Sequence, residues 1–295
     1  MTLDLRLAPM AAVTNAPFRL VARERGAGLL TSEEIDARAL VEGNARTREL
    51  ARHLPAEHPI AMQLLGSDPD TLAEAARRLE AEGADAIDLN MGCPVAKIVA
   101  KGQGAALMRD PFAAGLVFRT MRKAIAVSLT IKIRGGWDER TLNAVEIARI
   151  AESEGVNAIT VHPRTRSQQF SGRAPWEIIA AVVDAVGVPV TGNGDVRSHA
   201  DARAMVAATG RPMRGWLSAC CKPSQARDRP RPTCIPAVVQ GGVIRASVVI
   251  TPVAPAIKKK RPISRPPAAT SPGAMPWMST AAEAAFIGWT PIGMP

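Results

Sequence analysis

The chain has no tyrosine, and aromatic residues make up only 3% of its 295 positions. A core of stacked rings is therefore excluded, and any core must come from Ala, Val, Ile and Leu, as packing of helices on strands permits. The four cysteines, at 93, 220, 221 and 234, have neither paired metal-ligand spacing nor the density of a secreted disulfide scaffold, so no metal site is expected and a reducing cytoplasm fits. The first ten residues, Met1-Thr2-Leu3-Asp4-Leu5-Arg6-Leu7-Ala8-Pro9-Met10, lack the basic start and long apolar stretch of an export signal. Residues 237–257 are apolar enough to test as a membrane span, but Gln240, Gly241, Gly242, Arg245, Pro252 and Pro255 interrupt them, and no membrane partner is expected.

Acidic residues are scarce in one region only. Residues 211–295 hold 12 Lys+Arg against 2 Asp+Glu, whereas residues 1–210 hold 25 of each, so the net charge of +10 belongs wholly to the tail. A uniformly basic, anion-binding body is thereby excluded.

The body alternates short aliphatic runs with amphipathic stretches, the pattern of a parallel sheet with crossover helices. Strands are predicted at 5–11, 29–33, 60–65, 86–90, 129–134, 158–162 and 188–191. The clearest helices are predicted at 69–82, where Asp68 can cap the start and Gly83 can end it, and at 111–125, 139–154, 176–185 and 198–208. Seven units in 210 residues point to an α/β fold of the TIM (β/α)8-barrel type, with the eighth strand missing or replaced. Two regions follow: an incomplete catalytic barrel at 1–210, and a basic tail at 211–295 in which 20 of 85 residues are Pro or Gly. Segments such as Lys258-Lys259-Lys260-Arg261-Pro262 read as linker or disordered sequence.

Catalytic groups of such barrels gather at the carboxyl ends of strands. Four strand ends here carry chemistry-capable residues: Asn90-Met91-Gly92-Cys93-Pro94, Lys132-Ile133-Arg134, His162-Pro163-Arg164 and Gly192-Asn193-Gly194-Asp195. A flavin-type ligand across the mouth needs a cation near its ring, amides at the ring edge and small residues where backbone approaches closely, and Lys132, Gln63 and Gly192-Asn193-Gly194 offer these. Each also has an ordinary reading. Lys132 can be a solvated or paired charge, His162 a structural histidine and Asp195 a helix cap. Cys93 can be a small buried hydrophobe, or, with Lys97 and Lys101 nearby in sequence, an exposed and acidic thiol.

Taken together with Leu7-Ala8-Pro9-Met10-Ala11-Ala12-Val13-Thr14-Asn15-Ala16-Pro17-Phe18-Arg19, these motifs resemble those of the tRNA-dihydrouridine synthases, in the same order over residues 5–210. The resemblance implies an FMN-containing TIM barrel in which NADPH reduces the flavin and the flavin reduces C5=C6 of a tRNA uridine. Cys93 matches the family's proton donor. Pro9, Met10 and Ala11 would line the flavin, Gln63 and Lys132 would bond its ring, and His162, Asn193, Gly194 and Asp195 would hold ring and ribityl phosphate. Asn90, Arg134 and Arg164 would meet the substrate, with Arg164, Arg166 and Arg173 as local cationic patches for tRNA.

The sequence departs from the family at Asn15, usually an acid, at Pro163, often glycine, and above all after Gly210. There the expected phosphate-binding eighth strand and helical tRNA-binding domain do not follow. Read in a shifted register, the codons for Arg211-Pro212-Met213-Arg214-Gly215-Trp216-Leu217-Ser218-Ala219 can spell Ala-Asp-Ala-Gly-Val-Val-Ile-Gly, which is such a strand, so a frameshift is the expected origin of the tail. The alternatives are an inactive remnant of such an enzyme, a basic RNA-binding arm, and another FMN barrel acting on a free pyrimidine.

Overall fold

The chain's structure is a computed structural model that describes residues 5–209 with their side chains, and the backbone of three short strands further on. The expected tail at 211–295, apart from those strands, lies outside the described residues. Seven strands occur where alternation predicts them: β1 (Leu5–Leu7), β2 (Leu30–Asp36), β3 (Ile60–Leu65), β4 (Ala86–Met91), β5 (Ser128–Arg134), β6 (Ala158–His162) and β7 (Val190–Asn193). β2 to β7 pair in parallel, each with the next. The later strands are β8 (Val238–Val239), β9 (Gly242–Val243) and β10 (Ala246–Ile250).

The eighth position is filled from the tail. β10 lies between β7 and β1 and runs antiparallel to both, with Ala246 level with Leu7 and Ser247 level with Asn193. A parallel bridge from Arg6 to Leu29 joins β1 to the start of β2 and closes the ring. The eighth strand is thus replaced rather than simply missing, as the family pattern after Gly210 left open. The physical reason is local: Val248-Val249-Ile250 is a β-branched run, and an unpaired edge offers a row of free N–H and C=O groups.

Helices fill the crossovers: α1 (Ala16–Glu24), α2 (Ala37–Val41), α3 (Ala45–Ala51), α4 (Pro69–Ala81), α5 (Ala96–Val99), α6 (Pro111–Ala124), α7 (Ala144–Ser153), α8 (Trp176–Ala185) and α9 (His199–Thr209). Asp68 caps α4 by accepting from Thr71 N at 2.8 Å, and Gly83 beyond its end has a φ of 97°. Asn15 caps α1 by accepting from Phe18 N at 3.1 Å, so its departure from an acid loses nothing, since Asn and Asp cap about equally well. α7 begins later than predicted. Asp138 accepts from the backbone N–H groups of Arg140 and Thr141 and from the Thr141 hydroxyl, and this turn holds the chain out of helix until Asn143.

The strands' period-two alternation sorts their side chains into two environments. Ile87, Leu89, Leu129, Ile131, Ile133, Ile159 and Val161 join the apolar layer shared with helix residues such as Leu72, Leu79, Phe118, Ile147 and Ile179, all buried. The alternate residues face a polar interior: Arg6, Thr31, Asp88, Thr130, Lys132, Thr160 and Thr191 surround a cavity of about 30 Å³ inside the ring. The hydrophobic core therefore lies between ring and helices, and the ring is free to carry polar chemistry along its axis.

Outside the ring, α1 is pinned by a buried ion pair. Arg19 Nε donates to Glu57 Oε1 at 2.7 Å, and the same guanidinium donates to Thr14 O at 2.7 Å and Arg52 O at 3.1 Å. Glu57 is wholly buried and also accepts from Leu54 N at 2.5 Å. The pair ties the loop after β1 to the short turn Pro55–Glu57 before β3.

Candidate active site at the carboxyl ends of the strands

Asn90, near the end of β4, builds the turn that follows it. Its Oδ1 accepts from Gly92 N at 3.0 Å and Cys93 N at 2.9 Å, an Asx turn that points the cysteine out of the strand. The carbonyls of this turn are held as well. Arg134 Nε donates to Gly92 O at 2.6 Å, and Ala105 N to Cys93 O at 3.1 Å. Gly104 has a φ of 61°, and a Cβ there would lie 2.7 Å from Cys93 O, so only glycine admits this contact.

A chain of side-chain hydrogen bonds runs from the ring interior to this turn. Thr130 Oγ1 donates to Asp88 Oδ1 at 2.5 Å, Gln63 Nε2 to Asp88 Oδ2 at 2.7 Å, and Asn90 Nδ2 to Gln63 Oε1 at 2.9 Å and Glu34 Oε2 at 3.3 Å. Both amides are thereby oriented, and polar groups buried this deeply need such partners. Gln63 and Asn90, expected to bond a ring and a substrate, each use both ends of their amide inside the protein.

Cys93 is half-buried. Burial pushes its thiol up, and the charge and hydrogen bond of Glu34 add to that, outweighing the Val95 N–H and the Arg134 charge. The acidic thiol expected from Lys97 and Lys101 is therefore corrected: sequence neighbours suggested cations, but the fold brings a carboxylate. The result is a group that keeps its proton. Glu34 itself is raised, by burial first, against the bond from Cys93 and the charge of Lys97.

Strand register sets the remaining groups side by side, with Asn90 level with Lys132 and Arg134 level with His162. Lys132 lies close enough to favour the charged form of Asp88, although burial, the larger effect, raises Asp88 overall. His162 is 4% exposed, and its Nδ1 lies 3.0 Å from Asn193 O. A carbonyl only accepts, so Nδ1 carries the proton and Nε2 is bare; Nε2 is buried with no hydrogen-bond partner. Burial, then the charges of Lys132 and Arg134, push the ring down to about 2, so it is neutral at working pH. An unfolded histidine binds a proton near its ordinary 6.5 whereas this one does not, so its contribution to stability is lost as pH falls below that value. Beside it stands Phe170, stacked at 6.1 Å and half exposed.

Two of the expected substrate contacts are buried. Arg134 and Arg164 are 2% and 5% exposed. Arg134 donates to Thr165 O at 3.0 Å and Gln169 O at 2.9 Å besides Gly92 O. Arg164 donates to Ser171 O, Gly172 O and both carboxylate oxygens of Asp195, the last at 2.8 Å. Arg164, expected to meet the substrate, supports the β6 and β7 loops, and its partner Asp195 lies 31 positions away and is met only on folding. Burial opposes the charge of Asp195, but the Ala174 N–H and the Arg164 guanidinium outweigh it and hold the carboxyl below its usual range. Arg166 and Arg173 stack on Trp137 and Trp176. Gly194, with a φ of 127°, passes so close to His162 that a Cβ there would lie 2.8 Å from Nδ1. Pro9 and Met10 are half-buried and Ala11 exposed, in the loop after β1; the Ala12 N–H of that loop donates to the Glu33 carboxylate.

Glu34, Asp88, Gly104 and Phe170 were not singled out in sequence. Asp88 had a signal, an acid inside an apolar run, and Glu34 a weaker one, a carboxylate at a strand end. Among the described residues no group of three or more His, Cys, Asp and Glu can hold a metal ion, and no helix is long and apolar enough to cross a membrane.

The family model described as dihydrouridine synthase matches residues 6–215. Among curated proteins, the chain is 41% identical over 206 residues to tRNA-dihydrouridine synthase B of Pseudomonas aeruginosa, covering 70% of this chain and 62% of that protein. It is 43% identical over 205 residues to a probable tRNA-dihydrouridine synthase of Rhizobium leguminosarum, covering 69% and 64%. The chain thus spans about three fifths of the length of these relatives. Among solved structures, histamine dehydrogenase from Rhizobium sp. 4-9 shares the fold, with a TM-score of 0.50 and 14% identity over 70% of this chain and 42% of that one.

Proposed function

The chain belongs to the dihydrouridine synthase family, and on that premise we propose that it reduces uridine to 5,6-dihydrouridine in tRNA, with FMN as cofactor, NADPH as reductant and Cys93 as the proton donor to C5. The observation that carries the reading is the Asn90-built turn, which presents a protonated, half-buried thiol at the end of β4. Carbanionic charge developing at C5 needs an acid, and a thiol that keeps its proton supplies one.

The residues present fit a flavin. His162 offers a bare, buried acceptor in Nε2, suited to a donor on a ring or ribityl chain. Lys132 brings an ammonium to the same level as Asn90, where it would favour negative charge on a ring. Gly194 leaves the close approach a ligand needs, Asn193 O fixes the tautomer of His162, and Pro9, Met10 and Ala11 give a small-residue rim. Gln63 and Asp195 act through Asn90 and Arg164. When bound, the flavin supplies the hydride for C6. The target base must leave its stack to reach this mouth, and Phe170, half exposed beside His162, offers it an apolar face.

Gly194→Ala is expected to lower flavin retention by at least about tenfold, since the added methyl displaces His162 and the φ is one that alanine resists. Flavin content is read from the visible spectrum of the purified variant, and full retention would reject the assignment of His162.

The family match stops at residue 215, which supports our reading that the natural frame is lost near Gly210 and that 1–210 is the catalytic region. The gene's nucleotide sequence tests it: a single-base change near codon 210 should restore an open frame with helical patterning. For activity, the purified chain should carry a visible flavin spectrum and, beyond the one equivalent that reduces its flavin, oxidise NADPH only when unmodified tRNA is present. A colourless protein would reject activity for this chain, and the inactive-remnant reading would replace it.

A further inference from the structure

One carboxylate outside the expected set sits against the cysteine turn. β2 loses its register with β3 between Thr31 and Glu34, an irregularity of the kind that re-aims a side chain beside a site. Beyond it, Glu34 Oε2 accepts from Asn90 Nδ2 at 3.3 Å, and the Glu34 carboxylate lies near enough to the Cys93 thiol for its charge to favour the protonated form. The same Asn90 fixes the Cys93 N–H with its other end, at 2.9 Å. One amide therefore ties the Glu34 carboxylate to the backbone from which the thiol springs. Glu33, the adjacent acid, is occupied by the Ala12 N–H.

Resting on the reading of Cys93 as proton donor, we propose that Glu34 is a positioning residue for that thiol, holding it as S–H at the mouth so that it acts as an acid and not as a nucleophile. In the step it serves, the S–H bond breaks as the C5–H bond forms, and the electron pair stays on sulfur. The hydride at C6 comes from the reduced flavin of the proposed reaction, and the thiolate afterwards takes a proton from water. A thiolate formed too early has no proton to give and is itself able to add to the electron-poor C6.

The charged groups facing the pair are Glu33 on β2, Lys97 on α5 and Arg134 on β5. Lys97 favours the carboxylate of Glu34, and Arg134 favours a thiolate. Burial and Glu34 together outweigh Arg134, so the thiol form prevails.

The test reads the thiol directly, by peptide-resolved alkylation of Cys93 with iodoacetamide across pH in the full chain, which separates it from Cys220, Cys221 and Cys234. Glu34→Gln keeps an acceptor for Asn90 and removes the charge. Its Cys93 midpoint should fall by about one pH unit, which is roughly tenfold more thiolate at neutral pH. The alkaline limb of tRNA uridine reduction should move down with it, whereas a merely structural role would scale the profile without moving it. If Glu34→Gln does not fold, Glu34→Asp, one methylene shorter, is read in the same way with a smaller shift. An unmoved midpoint in a folded variant overturns the proposal. A moved midpoint without tRNA-dependent activity in the unsubstituted protein overturns the activity proposed for this chain and leaves the Glu34–Cys93 pairing standing.

Discussion

Cys93→Ala is expected to slow uridine reduction by roughly two to four powers of ten, the usual worth of a placed general acid, while NADPH still reduces the bound flavin. The substitution touches little else. The backbone of the turn is held by Asn90, Arg134 and Ala105 through main-chain atoms, so removing the sulfur leaves the turn in place. The two half-reactions separate it: flavin reduction followed alone, then uridine reduction followed from pre-reduced enzyme. A uridine rate within threefold of the unsubstituted protein would reject Cys93 as the donor. The pH dependence has a definite sign. The acid must be protonated to act and its thiol is raised by burial and Glu34, so activity persists into alkaline solution and falls as pH rises through the thiol's titration.

Glu57→Ala should destabilise the fold by about 3–5 kcal/mol, the largest stability effect expected of a single substitution here. The carboxylate is wholly buried and answers both the Arg19 guanidinium and the Leu54 N–H, so its removal strands a buried cation and a buried donor together. Chemical denaturation monitored by far-UV circular dichroism measures it, and a loss under about 1 kcal/mol would show that Arg19 finds other partners. Replacing both Arg19 and Glu57 by leucine should recover much of the loss, because the penalty comes from an unpaired charge and not from the absence of a pair. Flavin retention should weaken in Glu57→Ala, since Arg19 also donates to Thr14 O beneath the Met10 loop.

The strands were legible because each alternates a residue for the ring interior with one for the helix layer. Thr130-Ile131-Lys132-Ile133-Arg134 already shows that pattern, and β5 covers it. The start of α7 was not, because amphipathic spacing continues through a turn that Asp138 closes locally. Cys93, Lys132, His162 and Asn193 could be found at strand ends from sequence, but their surroundings could not. Arg164 reads as exposed until Asp195 is brought to it, and Cys93 reads as acidic until folding sets the Glu34 carboxylate against it. In each case the deciding partner comes from another element, Asp195 from the loop after β7 and Glu34 from β2, beyond the reach of any local pattern. The tail strand was illegible for a different reason: only the vacancy between β7 and β1 gives its short β-branched run a place.

β10 also changes the traffic of the chain around the mouth. A strand parallel to its neighbours hands the chain upward, and the connection it launches becomes part of the crown of loops that touches a ligand. β10 takes the chain the other way, arriving at the level of Leu7 and Asn193 and leaving at the level of Val190. Beside it the loop after β7 keeps its own course, fixed by the positive φ angles of Gly194 and Asp195.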